Sequence, residues 1–209
     1  MFNFITLARK ALLAASLVLF SGVAMAGPSY LVTIHTNAYS GETGLLDFSM
    51  GSDASARLAI ANLWNFSGKF GDQYDRTGSV DGNLADGVTF TNAGASNFLT
   101  YNVILGGDFS FNISFSGDYE SVEAVAGSVF DVVLYGMDFN DTLDRAVQFQ
   151  LIPLNNGDAA YVDVLANPDS TVVTELVAVD VPEPSQLLLM LSGLALAGVA
   201  LRRTCRPGK

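Results

Sequence analysis

Hydrophobic and polar residues alternate along much of the chain between residues 27 and 180, and this period of two predicts β-strands. The clearest case is Phe109–Phe115, where large apolar residues at odd positions alternate with Ser and Asn at even positions. In a strand, such a pattern places the apolar side chains on one face of a sheet. Residues 30–34 alternate in the same way near the start of this region. Both segments are therefore predicted to be strands with one buried face.

Further strands are predicted where β-branched and aromatic residues cluster between Gly, Asn, Asp or Pro. These segments are Leu45–Met50, Val88–Thr91, Phe98–Leu105, Val129–Tyr135, Ala146–Leu151, Tyr161–Leu165 and Val172–Val179. Short strands separated by turn signals are typical of antiparallel sandwiches. The sequence therefore predicts an all-β fold, an antiparallel β-sandwich or jelly-roll-like ectodomain over residues 27–180.

Two segments fit this scheme less directly. Residues 54–66 have the Ala, Arg and Leu content of a helix, but they also alternate, at Leu58, Ile60 and Asn62 and then at Trp64 and Phe66. A strand is favoured there because the neighbouring segments are strands. Residues 71–87 combine several Asp and Gly residues, and this composition predicts a long exposed loop.

Composition excludes several classes of protein. Half of the 209 residues are hydrophobic and 15% are charged, which excludes an intrinsically disordered chain. One Cys and one His exclude a disulfide scaffold and most zinc sites. The formal net charge of −11 argues against nucleic acid as a partner, since phosphate binding needs clustered Lys and Arg.

The first 26 residues have the three parts of a secretory signal peptide. A basic n-region precedes the apolar residues 11–20, and Ala24 and Ala26 supply the small residues of a cleavage site. The apolar stretch is too short for an anchor, because a helix needs about 20 residues to cross a bilayer core. We expect signal peptidase to cleave after Ala26 and to leave Gly27 as the mature N-terminus.

The C-terminal end carries a second pattern. Val181, Pro182, Glu183 and Pro184 are followed by the apolar run 187–201. As a helix this run would cover about 22 Å, which is short for a bilayer core of about 30 Å. Arg202 and Arg203 begin a basic tail over residues 202–209, and positive charge after the run predicts that the tail stays in the cytoplasm.

These C-terminal residues resemble the PEP-CTERM sorting signal of Gram-negative bacteria, which combines a Val-Pro-Glu-Pro motif, a short hydrophobic helix and a basic tail. The Pro-Glu-Pro motif at 182–184 is intact, and the signal occupies residues 181–209. The resemblance implies an exosortase-type protease as processing enzyme. It also implies transient anchoring in the inner membrane through 187–201, and delivery to the cell surface or the exopolysaccharide matrix. An ordinary single-pass anchor is the alternative.

Removal of both ends changes the charge balance of the domain. Over residues 27–183, four basic residues, Arg57, Lys69, Arg76 and Arg145, then stand against all 21 acidic ones. The formal charge of the segment becomes −17, from 4 minus 21. Cys205 leaves with the tail, so we expect core packing alone to hold the fold in an oxidising compartment.

An Asp-rich segment offers candidate calcium ligands. Asp138, Asn140 and Asp144 place oxygen atoms at alternating positions, and calcium prefers clustered hard oxygens. The glycine and the terminal Glu of an EF-hand are not in place. The sequence leaves open a weak calcium site in a loop or a solvated turn between two strands, and it favours the turn.

Few residues point to other chemistry. Trp64 and Tyr74 could stack on sugars, although Trp64 fits a core or rim position better. His35, the single imidazole, is interpreted as a surface residue, and the sequence contains no G-x-S-x-G, H-E-x-x-H or P-loop motif. The leading hypothesis is a non-enzymatic surface or matrix protein that is structural or binds polysaccharide. The alternatives are a polysaccharide hydrolase that uses paired carboxylates and a surface adhesin.

Overall fold

The computed structural model describes residues 27–94 and 96–176, which form strands joined by turns. The strands are β1 (Ser29–His35), β2 (Thr43–Ser52), β3 (Ile60–Ser67), β4 (Phe70–Thr77), β5 (Val80–Asn83), β6 (Gly87–Thr91), β7 (Asn97–Ile104), β8 (Asp108–Ser116), β9 (Ser128–Tyr135), β10 (Thr142–Ile152), β11 (Tyr161–Ala166) and β12 (Thr171–Glu175). Two short 3₁₀ turns, Asn37–Tyr39 and Asp118–Glu120, lie between them. The all-β prediction is confirmed. The predicted signal peptide and the sorting segment lie outside the described residues.

The strands form two antiparallel sheets of six strands each. Sheet A has the order β12-β1-β8-β3-β6-β5, and sheet B has the order β11-β10-β9-β2-β7-β4. Three pairings are nested in the sequence around β4 and β5. β1 pairs with β8, β2 pairs with β7, and β3 pairs with β6. This nested pairing favours the jelly-roll-like arrangement among the sandwich folds. At one edge of sheet A, the Leu176 N–H donates to the Ser29 carbonyl at 2.7 Å, so the two ends of the described region meet.

The two sheets share one hydrophobic core. Phe111 in sheet A packs edge-on against Phe48 in sheet B, with ring centroids 5.4 Å apart. Phe90 in sheet A meets Phe130 in sheet B at 5.3 Å. The odd-numbered residues of Phe109–Phe115 are at most 1% exposed, as the alternation predicts. Aromatic contacts of this kind hold the sheets face to face.

The strand predicted within residues 54–66 exists and begins at Ile60. Its buried side chains are Ala61 and Leu63, and the buried Ala59 precedes them, whereas Leu58 is 41% exposed. Ala61 lies between Phe90 and Phe115 on the neighbouring strands, so a small side chain suits this position.

A β-bulge near the end of β3 changes which of its residues face the core. The register shifts between Trp64 and Ser67, where Asn65 has a φ of 57°. The extra residue reverses the alternation. Phe66 therefore packs against the core, and Trp64 stays on the outer face of sheet A.

The prediction of a long loop over residues 71–87 is wrong. The structure places two edge strands there, β4 in sheet B and β5 in sheet A. The register of β4 shifts on both sides of Gln73, and most of its side chains are exposed. An edge strand with bulges and no buried face shows no alternation of apolar and polar residues, so its sequence resembles that of a loop. Charged side chains on such a strand discourage pairing with another chain.

Strand bounds differ elsewhere in smaller ways. β10 begins at Thr142, four residues before the predicted start at Ala146, and β12 ends at Glu175. The last part of the predicted strand Val172–Val179 lies outside the described residues.

A glycine makes the passage from one sheet to the other possible. Gly68 follows β3 and has a φ of +137°. A Cβ atom at this position would lie 2.4 Å from Cδ1 of Phe109. The chain thus turns from sheet A into sheet B directly over a core phenylalanine, and only glycine fits.

Candidate functional site

A groove of about 280 Å³ lies on the outer face of sheet B. It is lined by Asp47, Ser49, Asp75, Phe98 and Phe139. Four of these residues come from the neighbouring strands β2, β7 and β4, and Phe139 comes from the turn between β9 and β10. We call this feature the sheet B groove.

Asp47 is a buried carboxylate at the floor of this groove. Its neighbours Leu46 and Phe48 point into the core, so strand alternation directs Asp47 to the outer face. It is nevertheless only 8% exposed. Thr100, opposite it on β7, donates a hydrogen bond to its Oδ1 at 2.6 Å. A desolvated carboxylate on an outer face costs stability unless it is well partnered.

The electrostatics of Asp47 follow from this position. Burial raises the pKa of its carboxyl above the ordinary value, and the negative charges of Asp131 and Asp75 act in the same direction. Hydrogen bonds from Thr100 and Ser49 oppose the shift. The charged form of Asp47 is thus less favourable in the folded protein than in water.

Phe139 lines the sheet B groove, and two further aromatic rings contact it. The Phe139 ring is 45% exposed and the Tyr74 side chain is 53% exposed. Their centroids are 5.9 Å apart at an interplanar angle of 67°, and Tyr135 contacts Phe139 from the other side at 5.2 Å. Asp138 shapes this turn, because its Oδ1 accepts the Asn140 N–H at 2.9 Å.

The structure separates the two aromatic residues that the sequence singled out. Trp64 lies on β3 opposite Asn112, on the outer face of sheet A. Tyr74 lies on β4 in sheet B. The two rings therefore belong to different sheets and do not form one stacking platform, and Tyr74 has Phe139 as its partner instead.

The three predicted calcium ligands have different surroundings. Asp144 lies within β10 and is 8% exposed, and its carboxylate accepts hydrogen bonds from Asn167, at 2.6 Å, and from Ser170. Asp138 and Asn140 are exposed in the preceding turn. Over residues 27–94 and 96–176, no group of three or more His, Cys, Asp or Glu side chains could hold a metal ion. Calcium binding stays a prediction.

A second cavity, of about 350 Å³, lies near the single histidine. His35 Nδ1 is 2.8 Å from Asp108 Oδ1, and both side chains are well exposed. Ser170 lines the same cavity, but its hydroxyl donates to Asp144. Tyr39 donates to the Leu143 carbonyl at 2.9 Å. The hydrogen bonds of Ser170 and Tyr39 join neighbouring segments of the chain, as in a structural network.

Sequence reasoning missed most of the sheet B groove. Asp47 was detectable, because it is the single charge in the apolar strand Leu45–Met50, and a charge in a buried run needs an explanation. Asp75 and Phe139 gave no comparable signal. Their proximity depends on the pairing of β4 with β7 and on the path of the β9–β10 turn.

Replacing Asp47 by asparagine is expected to stabilise the protein at neutral pH. A carboxyl whose pKa is raised by folding contributes stability below its unfolded value of about 3.8, and this contribution is lost as pH rises through the folded pKa. Asparagine resembles the protonated form. Thermal melts should therefore show a higher melting temperature for Asp47→Asn at pH 7, with the difference shrinking as pH falls. The exposed Asp163→Asn is the control, and a lower melting temperature of Asp47→Asn at all pH values would contradict the interpretation.

Comparison with known proteins identifies the C-terminal segment. Residues 180–203 match the family model of the PEP-CTERM protein-sorting motif, which confirms the resemblance described above. No curated protein and no solved structure matches the chain. Within the described residues, no helix is both long and apolar enough to cross a membrane. The match implies export and processing by an exosortase, and the chain thus carries a PEP-CTERM protein-sorting motif at residues 180–203.

Proposed function

We propose that the chain is an exported, non-enzymatic protein of the cell surface or the exopolysaccharide matrix. The observation that carries this proposal is the sorting motif at residues 180–203. Signal peptidase removes residues 1–26 and leaves Gly27 at the N-terminus. The exosortase then separates the ectodomain, residues 27–180, from the apolar segment 187–201.

The ectodomain would bind or organise polysaccharide once it is outside. Support comes from the sheet B groove, which combines hydrogen-bonding carboxylates with exposed aromatic rings. Ligand sites generally pair an apolar wall with a few polar groups in this way. The formal charge of −17 over residues 27–183 disfavours an acidic polymer, since like charges repel within a Debye length of about 8 Å.

One observation favours a second function, hydrolysis of polysaccharide by paired carboxylates. Asp47 and Asp75 line the same groove, and the pKa of Asp47 is raised by burial, as in the acid of a glycosidase. Such an acid must reach the glycosidic oxygen. Asp47 is only 8% exposed and its Oδ1 accepts a hydrogen bond from Thr100, so we place binding before hydrolysis.

The sorting proposal is tested by changing the motif. Pro182→Ala combined with Pro184→Ala is expected to leave unprocessed protein in the inner membrane, because it removes the motif that the exosortase recognises. Intact-mass analysis of the released wild-type protein should show a start at Gly27 and loss of residues 187–201. Cell fractionation should show the double variant in the membrane fraction at its unprocessed mass.

Pro168→Ala provides a matched control. Pro168 is exposed in the turn between β11 and β12, so this variant makes the same chemical change away from the motif and should be processed normally. A released protein that still carries Arg202 and Arg203, or normal processing of the double variant, would contradict the proposal.

A further inference from the structure

Four of the exposed apolar side chains lie on β4, on β7 and in the β9–β10 turn of sheet B. Tyr74, Ile104, Met137 and Phe139 are each between 45% and 59% exposed. Ile104 and Met137 line a small hollow of about 150 Å³, and Phe139 follows Met137 in the same turn and lines the sheet B groove. Exposed apolar patches of this kind mark interaction sites.

The polar lining of the sheet B groove limits what can bind there. Asp75 is exposed and offers a carboxylate at the surface, Asp47 lies at the floor with 8% of its surface exposed, and none of the five lining residues is basic. Carboxylates form strong hydrogen bonds with hydroxyl donors, and they repel anionic groups. These residues favour an occupant with hydroxyl groups and no negative charge.

Aromatic side chains at the groove supply apolar contacts for a ligand. The Phe139 ring lines the groove, and the Tyr74 ring packs against it at an interplanar angle of 67°. The C–H face of a pyranose ring can pack against the Phe139 ring while its hydroxyl groups turn to the Asp75 carboxylate. The volume of about 280 Å³ lies near the lower end of ligand pockets, about 300–1,000 Å³, which suits a short stretch of sugar units.

The buried carboxylate of Asp47 lowers the stability of the protein, and the fold does not require a carboxylate at this position. A threonine or valine at position 47 would fit an outer strand face without the desolvation of a carboxylate. Burial and neighbouring charge of this kind are concentrated at functional sites. This cost is independent of the exposed aromatic rings and points to the same place.

We propose that the sheet B groove binds a neutral saccharide, with Phe139, which Tyr74 contacts, as the stacking surface and the exposed Asp75 as hydroxyl acceptor. The inference rests on the proposed function, in which the ectodomain works beside polysaccharide. It adds the site and the chemical class of the ligand. It also moves sugar recognition away from Trp64, which lies on the other sheet.

The test measures binding of defined oligosaccharides to the full-length chain in mild detergent. The probes are neutral hexamers of glucose, mannose and galactose, with oligogalacturonate as the acidic comparison, and titration calorimetry gives the affinities. At least one neutral hexamer should bind and oligogalacturonate should not. Phe139→Ala and Asp75→Asn should each weaken binding about tenfold or more, as expected when a contact that the bound ligand covers is lost.

Matched controls come from the far edge of the same sheet. Tyr161 is 59% exposed on β11, and Asp163 is exposed on the same strand. Tyr161→Ala and Asp163→Asn should bind as the wild type does. Equal melting temperatures of the variants exclude misfolding as the cause of weaker binding, and Asp75→Asn on an exposed edge strand keeps the test valid if Phe139→Ala unfolds.

Each result decides between the proposals. If no neutral hexamer binds, or if binding survives Phe139→Ala and Asp75→Asn, the groove is not the site, and the sorting proposal is judged separately by its own processing test. Loss of binding in Trp64→Ala alone would assign the site to sheet A. Equal binding of oligogalacturonate would overturn the assignment of a neutral ligand. Release of new reducing ends during the titration would replace binding by hydrolysis.

Discussion

Truncation of Phe111 to alanine is expected to lower the free energy of unfolding by about 3–5 kcal/mol. Its side chain is fully buried. The ring meets Phe48 of sheet B at 5.4 Å and stacks on Phe66 at 5.9 Å. Removing the ring leaves a cavity between the sheets. The neighbouring rings would have to adopt unfavourable rotamers to fill it. Urea denaturation followed by circular dichroism measures the change.

The same substitution at an exposed ring is the control. Phe139→Ala removes an equal number of atoms from a side chain that is 45% exposed, so it should destabilise the protein far less. A loss below about 0.5 kcal/mol for Phe111→Ala, the range of ordinary surface substitutions, would mean that the two sheets do not share this core.

Replacing Gly68 by alanine is expected to cost about 2–5 kcal/mol, because two penalties combine. The φ of +137° is a conformation that residues with a side chain rarely adopt. The new Cβ would also lie 2.4 Å from Phe109, a core ring that is 1% exposed and cannot move freely. Denaturation with urea should show the loss in the transition midpoint.

Gly51 offers a matched glycine. It lies in β2, and a Cβ at this position meets no atom within 4 Å. Gly51→Ala should therefore leave stability nearly unchanged or raise it slightly, by about 0.4–1 kcal/mol. If both glycine variants lost equal stability, the crossing from sheet A to sheet B at Gly68 would not be the reason.

The strands that the sequence revealed are those with one buried face. Phe109–Phe115 alternates because β8 is paired on both sides and covers the core. β4 and β5 escaped detection, because edge strands with exposed side chains resemble loops in composition. β3 was found but its inner face was not, since the small Ala61 faces inward and the bulge after Trp64 cannot be read from alternation.

The sorting motif and the sheet B groove differ in how far the sequence reveals them. The sorting motif matches a family model by the order of its residues at 180–203, so the sequence alone reveals it. The sheet B groove depends on strand register instead. It joins Asp47, Asp75 and Phe139, which are far apart in the chain, and pairing partners of edge strands and turn paths are not encoded in local patterns.

The pairing of β1 with β12 has a consequence for export. Ser29 and Leu176 are hydrogen-bonded neighbours, so the folded domain starts and finishes on one spot of its surface. The two proposed processing sites, after Ala26 and near Pro182, are each only a few residues along the chain from these two strand ends. If processing occurs as proposed, the domain can complete its fold while both of its ends are still attached to the membrane. Either attachment could then be cut first without removing a strand from the sheet.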